Sequence, residues 1–77
     1  MRISYKGKDD HYRYRIAEIS YKDEELEKVN KLISLMEDKD WYIQNVSLGY
    51  ALCVVEDKED YKEMVKDWKL CKKSLKG

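Results

Sequence analysis

One segment of this 77-residue chain carries no charge, although 42% of all residues are Asp, Glu, Lys or Arg. It spans residues 41–55 and reads WYIQNVSLGYALCVV. Gly49 is the turn-forming residue within it, so the pattern predicts two strands joined by a loop over residues 47–49, with Val46 facing Tyr50. Both faces of this hairpin are apolar, which is typical of interior strands covered on one side and at least half-apolar on the other. The segment therefore predicts the centre of a small sheet.

Two amphipathic helices are predicted on either side of this hairpin. The first covers about residues 21–39, with Ser20 as its N-cap. The second begins after Asp57, with Asp60 at the reciprocal capping position. At 100° per residue each helix has one apolar stripe, formed by Leu26, Val29, Leu32, Ile33 and Met36 in the first and by Tyr61, Met64, Val65, Trp68 and Leu75 in the second, with Cys71 at its margin.

The N-terminal region alternates with a period of two over residues 11–19, HYRYRIAEI, which predicts a strand. We expect Tyr14 and Ile16 to point toward the helices, and Arg13 and Arg15 to point away from them. Residues 2–6 could add an edge strand, in which case Gly7 would supply a positive φ angle in the connecting turn. Whether these residues join the sheet is left open.

The predicted element order gives an α+β fold in one domain, residues 1–77. We expect a small antiparallel or mixed sheet of three to four strands with two helices on one face, in the order (β)βαββα. The segment 22–40 is long enough to connect parallel neighbours. This plan is ferredoxin-like but lacks the last strand, whose edge residues 2–6 could fill.

Composition excludes several classes of function. Lys and Arg number 16, as do Asp and Glu, so no global field attracts nucleic acid or an acidic membrane. The opening residues lack the apolar region of a secretory signal, and no apolar run approaches a membrane span, so a cytoplasmic location is expected. Cys53 and Cys71 form no CxxC pair and are predicted to be reduced, buried thiols.

Catalytic and metal-binding patterns are weak. Asp9, Asp10 and His11 are consecutive titratable residues that include the histidine of the chain, and they are expected to form a solvated turn rather than a catalytic or metal site. With three glycines the chain has no phosphate-binding loop, and no Ser or Cys lies in a nucleophile-elbow context. We therefore expect no enzymatic activity, no cofactor and no metal.

Two helices cannot cover both sides of a four-stranded sheet, so one face should remain exposed. That face is predicted to carry Arg13, Arg15, Ala17, Tyr42, Gln44, Val46, Tyr50, Leu52 and Val54, and exposed Leu70 of the second helix could extend it. Tyr flanked by Arg is typical of binding hot spots. The leading hypothesis is a non-enzymatic protein-binding module, an inhibitor or accessory factor of the kind encoded by viruses and mobile elements, which docks on a partner or forms a homodimer through this face.

The run GYALCVVEDKEDYKEMVKDW, residues 49–68, resembles the third strand and second helix of an RNA-recognition motif. In that family a Gly-aromatic-small-aromatic-aliphatic run carries bases on the open face of the sheet. The resemblance implies that Tyr50 and Leu52 face outward, although Leu52 replaces a stacking ring and Leu48 replaces a basic residue. Single-stranded nucleic-acid binding by the same face is therefore the alternative function.

Overall fold

The computed structural model describes residues 1–8 and 14–76. Its elements, in chain order, are strands β1 and β2, a 3-10 turn, helix α1, strands β3 and β4, and helix α2. Their bounds are Arg2–Lys8 for β1, Arg15–Ser20 for β2, Asp23–Glu25 for the turn, Leu26–Glu37 for α1, Tyr42–Ser47 for β3, Tyr50–Val55 for β4 and Lys58–Lys76 for α2.

The four strands form one antiparallel sheet in the order β1-β2-β4-β3. The predicted α+β class, with two helices and a small sheet, is confirmed. The prediction that the first helix joins parallel neighbours is wrong, because β4 lies between β2 and β3. Strand β4 is the most apolar strand and has buried residues on both of its faces, so the central position is the one that removes most of its surface from water.

The β3–β4 hairpin follows the predicted register from Tyr42↔Val54 to Asn45↔Ala51. A bulge then shifts the pairing, so Ser47 rather than Val46 faces Tyr50. Gly49 has the positive φ that the turn requires, at 86°. Its carbonyl accepts a hydrogen bond from the Tyr21 N–H at 3.0 Å, which fastens the turn to the end of β2.

The core lies between the sheet and both helices. The sheet contributes small or branched side chains from alternate positions, and each helix contributes one stripe. The buried members are Ala17, Ile19, Ile43, Ala51, Cys53 and Val55 from the strands, Tyr21 just after β2, Val29, Leu32 and Met36 from α1, and Met64, Trp68 and Cys71 from α2. The two predicted helix stripes are thus confirmed, with Leu26, Ile33, Tyr61, Val65 and Leu75 partly buried at their margins.

The start of α1 differs from the prediction. Ser20 is the last residue of β2 and does not cap the helix. The Lys22 N–H instead donates to Glu25 Oε1 at 3.0 Å, across the 3-10 turn that precedes α1. The cap of α2 is as predicted, since Asp57 Oδ1 accepts from the Asp60 N–H at 2.8 Å.

Residues 2–6 join the sheet, as part of β1. Gly7 has a φ of 81°, but it lies in a bulge of β1 opposite Ile16 rather than in the predicted turn. The predicted strand over residues 11–19 is observed as Arg15–Ser20, and its first three residues lie outside the described part of the chain.

Candidate functional site

The two helices pack on the same side of the sheet, and we call the opposite side the open face. It is defined by alternation along three strands, because Ala17, Ile19, Ile43, Ala51, Cys53 and Val55 point toward the helices. The open face carries Ile16 and Glu18 of β2, Tyr42 and Gln44 of β3, and Tyr50, Leu52 and Val54 of β4, with Tyr14 just before β2.

A groove of about 350 Å³ crosses the open face. Its lining consists of Tyr14, Ile16, Tyr42, Gln44, Leu52 and Val54. Strand pairing builds it, since Tyr42 and Ile16 both lie opposite Val54, and Gln44 lies opposite Leu52. None of the six lining residues is charged, so the groove is an apolar depression with one amide on its wall.

The floor and the walls of the groove differ in exposure. Ile16 and Leu52 are 1% and 8% exposed and form the floor, although no helix covers them. Tyr14 and Tyr42 are 60% and 64% exposed and form the walls. Leu52 was predicted to be exposed, and this is wrong, because the neighbouring side chains on the same face cover it. The exposed apolar surface therefore belongs mainly to the two tyrosine rings.

Polar groups lie at the margin of the groove. The Tyr50 hydroxyl donates a hydrogen bond to Glu18 Oε2 across β4 and β2. Beyond the end of the sheet, Tyr14, Tyr42 and Val54 also line a second, more polar depression of about 440 Å³, together with Lys39, Asp40, Trp41, Val55, Glu56 and Asp60. The apolar groove thus continues into a charged rim, which is the arrangement found in protein interfaces.

The predicted arginines do not form part of the open face. Arg13 lies outside the described residues. Arg15 pairs with Val55 and shares its helix-facing side, and its guanidinium donates to the Glu56 carbonyl at 2.9 Å. Ala17 is fully buried against the helices rather than exposed. The predicted phase of β2 is therefore reversed, because Ala17 and Ile19, not Tyr14 and Ile16, complete the core.

Two other predicted site residues lie away from the groove. Val46 is 51% exposed but is displaced by the bulge in β3 and does not line the groove. Leu70 is 51% exposed and lies on the outer surface of α2, on the helical side of the sheet. Of the residues predicted for the exposed face, the groove brings together Tyr42, Gln44, Leu52 and Val54, with Tyr50 at its margin.

Sequence reasoning missed Tyr14 and Ile16 as site residues. The sequence HYRYRIAEIS has apolar residues on both faces of the predicted strand, with Ile16 on one face and Ala17 and Ile19 on the other. A signal was present in the size of the residues, because Ala17 matches the small Ala51 and Cys53 that lie beneath the helices. Small side chains let a helix approach the sheet closely, so they favour the covered face.

The described residues offer little nucleophilic or metal chemistry. Burial, with a smaller contribution from the charge of Asp60, raises the pKa of the Cys53 thiol to about 12, so it is protonated at neutral pH. Cys53 and Cys71 are both buried and unpaired, as predicted. Within residues 1–8 and 14–76 no three His, Cys, Asp or Glu side chains converge to bind a metal ion. The Asp9-Asp10-His11 cluster lies outside those residues.

No protein-family model, no curated protein and no solved structure matches this chain. In the part of the chain that the structure describes, neither helix has the length and apolar content needed to cross a bilayer.

Proposed function

We propose that this chain is a non-enzymatic protein-binding module whose binding site is the groove of the open face. The observation that carries the proposal is the groove itself: an uncharged depression with two tyrosine walls, each more than half exposed, over a fixed aliphatic floor. Tyrosine is enriched at interface hot spots because its ring contributes a large contact area with few rotatable bonds. The partner is expected to insert an apolar side chain between Tyr14 and Tyr42.

The exposed rings set the scale of the binding energy. If each ring offers about 200 Å², the exposed fractions of Tyr14 and Tyr42 together offer roughly 250 Å². At about 25 cal/mol per Å² their burial would contribute about 6 kcal/mol before the costs of association. That amount alone gives a weak complex, so the charged rim with Lys39, Glu56 and Asp60 is expected to take part as well.

The floor of the groove is already buried in the free protein, which favours binding. Ile16 and Leu52 need not reorganise when a partner arrives, because strand pairing holds them on both sides. A pre-organised site loses less conformational entropy on association than a flexible one. The hydrogen bond between Tyr50 and Glu18 adds a polar contact that fixes the margin of the site.

Single-stranded nucleic-acid binding by the same face is the second candidate, and one observation favours it. Exposed aromatic rings such as those of Tyr14 and Tyr42 can stack on bases. The groove itself lacks positive charge, because no Lys or Arg lines it, Arg15 lies on the other side of the sheet, and Arg2, which shares the open face, lies on the edge strand β1. Phosphate contacts provide most of the affinity of such proteins, so this face suits a protein partner better.

The proposal is tested by immobilising the wild-type protein and two matched variants as baits, and by comparing the proteins that each bait captures from a host lysate. The first variant carries Tyr14→Ala with Tyr42→Ala, and the second carries Leu70→Ala, which removes an exposed apolar side chain on the outer surface of α2. A partner that binds wild type and the Leu70→Ala bait, but binds the double variant about 30-fold more weakly (~2 kcal/mol), supports the proposal. Equal capture by both variants contradicts it.

A titration with labelled single-stranded oligonucleotides at two salt concentrations tests the second candidate. Binding that weakens with salt and is lost in the Tyr14→Ala, Tyr42→Ala variant would promote nucleic acid to first place. Binding that is insensitive to this double substitution would remove it from the open face.

We also propose the ferredoxin-like plan for the fold. Its support is a split β-α-β arrangement, in which β2 and β3 run parallel, are joined through α1, and are separated by β4. Strand β1 occupies the edge beside β2, which is the position of the last strand in the ferredoxin-like plan. A cytoplasmic location and an inhibitor or accessory role, encoded by a virus or a mobile element, remain proposals that identification of the captured partner would test.

A further inference from the structure

We infer that the outer edge of β3 pairs with the same edge of a second copy, giving a twofold homodimer with one continuous eight-stranded sheet. This inference goes beyond the proposed function, because it concerns the edge of the sheet and not the groove. It holds or fails whether or not the groove binds a partner.

Strand β3 ends the described sheet on one side and is hydrogen-bonded to β4 alone among the described strands. In an antiparallel edge strand every second residue directs its N–H and C=O groups outward. Such an edge is a template for a further strand unless charged side chains, a bulge or a covering element protects it.

The two edges of the described sheet differ in protection. Strand β1 carries Arg2, Lys6 and Lys8 and has a bulge at its Gly7 end, and such features hinder pairing with another sheet. Strand β3, with the sequence YIQNVS, has no charged residue, and its bulge is confined to the end beside the turn. One edge is therefore blocked and the other is available, so self-pairing closes as a dimer and does not continue into a fibre.

Exposed apolar side chains concentrate at the available edge. Of the five large apolar residues that are exposed in the described chain, Tyr42, Val46 and Leu48 lie on β3 or its turn, at 64%, 51% and 64% exposure. Val46 and Leu48 also line a depression of about 220 Å³ with Leu26 of α1. A second copy placed along β3 would cover part of the apolar surface at this edge.

The helix layer beside β3 favours a second copy of this chain, rather than an isolated extended peptide, as the partner of the β3 edge. Helix α1 packs along β3, and the Asn45 side-chain amide donates to Asn30 Oδ1 of α1 at 3.0 Å. A twofold axis at the β3 edge would therefore bring two α1 helices together beside the paired strands. An extended peptide would offer no such second layer.

The size of the contact predicts a moderate affinity. A six-residue strand is about 20 Å long, and a sheet with one helix layer is about 20 Å thick, so the contact covers roughly 400 Å² on each copy. This is below the ~800 Å² per partner of a standard interface, so the dimer is expected to dissociate in the micromolar range.

Sedimentation equilibrium of the purified chain over about 1 μM to 1 mM tests the inference. Wild type is expected to shift from 9.3 kDa to twice that mass as concentration rises. Val46→Lys places two lysines at the shared edge and is expected to raise the dimer dissociation constant at least about tenfold. Leu70→Lys is the matched control, since Leu70 and Val46 are both 51% exposed, and it should leave the constant unchanged.

Tyr14→Lys separates an edge dimer from one formed through the groove, because Tyr14 adjoins β2 and β4 lies between β2 and the β3 edge. An edge dimer keeps its affinity in this variant. Loss of the dimer in Tyr14→Lys with retention in Val46→Lys overturns the inference, and so does a wild-type chain that is monomeric at 1 mM. Circular dichroism and urea midpoints confirm that each variant is folded. Hydrogen exchange gives a second readout, since outward amides of β3 become protected at high concentration only if the edge pairs.

Discussion

Ile16 and Ile19 provide a matched test of the difference between the two faces of the sheet. Both lie on β2, and their exposures are 1% and 0%. Ile19 belongs to the core between the sheet and the helices, whereas Ile16 forms the floor of the open groove. We therefore expect Ile19→Ala to destabilise the protein substantially more than Ile16→Ala.

The magnitudes follow from what each substitution leaves behind. Either change removes the side chain beyond Cβ, at a cost of about 2.4 kcal/mol of transfer free energy at ~0.8 kcal/mol per carbon. At Ile19 the space is enclosed within the core between the sheet and the helices, and a cavity of roughly 60 Å³ adds about 1.5 kcal/mol. At Ile16 the space opens into the groove, where water can enter it, so no closed cavity is left. The expected costs are about 4 kcal/mol for Ile19→Ala and about 2.5 kcal/mol for Ile16→Ala.

Urea unfolding followed by tryptophan fluorescence measures both free energies of unfolding. Because a domain of this size has a small stability margin, Ile16→Val and Ile19→Val form a milder second pair, with the same expected order. Equal costs at the two positions, or a larger cost at Ile16, would refute the argument, since Ile16 would then be enclosed as fully as Ile19.

Three further predictions concern the turn, a thiol and a carboxylate. Gly49→Ala should cost about 1–2 kcal/mol of backbone strain at φ 86°, plus a steric cost, because the new Cβ would lie 3.0 Å from the Tyr21 carbonyl oxygen. Gly7→Ala, at φ 81°, should lower the thermal stability less, because its Cβ would meet only Tyr5 side-chain atoms at 3.6 Å or more. Thermal denaturation in which Gly49→Ala is the less damaging of the two would contradict this. Cys53, with its pKa raised to about 12, should react with an aromatic disulfide reagent at pH 8 only as fast as the protein opens, and rapid reaction under native conditions would refute its burial. The pKa of the Glu25 carboxyl is lowered, chiefly by the hydrogen bond from the Lys22 N–H and then by the Met1 amino group. The ionised carboxylate therefore stabilises the fold above the pKa of the unfolded chain, and this stabilisation is lost as pH falls through the pKa of the folded protein. A carboxyl ¹³C titration should place the Glu25 pKa in the folded protein below 4.5, and a higher value would contradict the hydrogen bonds.

The helices and the central hairpin were predictable because their signals are local. The stripe of α2 repeats every three to four residues, and its Asp57 cap lies next to it in the sequence. Gly49 marks its turn for a similar reason, since an L-residue with a side chain is disfavoured at that φ. The bulge at Val46 was not predictable from local signals, because it lies beside a turn that is hydrogen-bonded to Tyr21, a residue just after β2 and distant in the sequence.

The composition of the open face was harder to predict because it depends on the phase of β2. Ile16 and Ile19 are both isoleucines, and each is buried, but on opposite faces. Their assignment requires knowing that Ile19 lies opposite Ala51 and Ile16 opposite Val54, which is a contact between distant parts of the chain. Period-two alternation cannot choose a phase when both parities contain large apolar residues. The two arginines consequently left the predicted site, and Tyr14 entered it.

Methyl NOE spectroscopy on the Val46→Lys variant, in which the expected edge dimer is weakened, tests the central claim most directly. That claim is that both helices cover one face of the sheet and leave the groove open. It predicts NOEs from the Ile16 and Leu52 methyl groups to Tyr14, Tyr42 and Val54, and none to side chains of α1 or α2. NOEs from either methyl group to Leu32, Met64 or Trp68 would contradict it, because the groove floor would then lie inside the core.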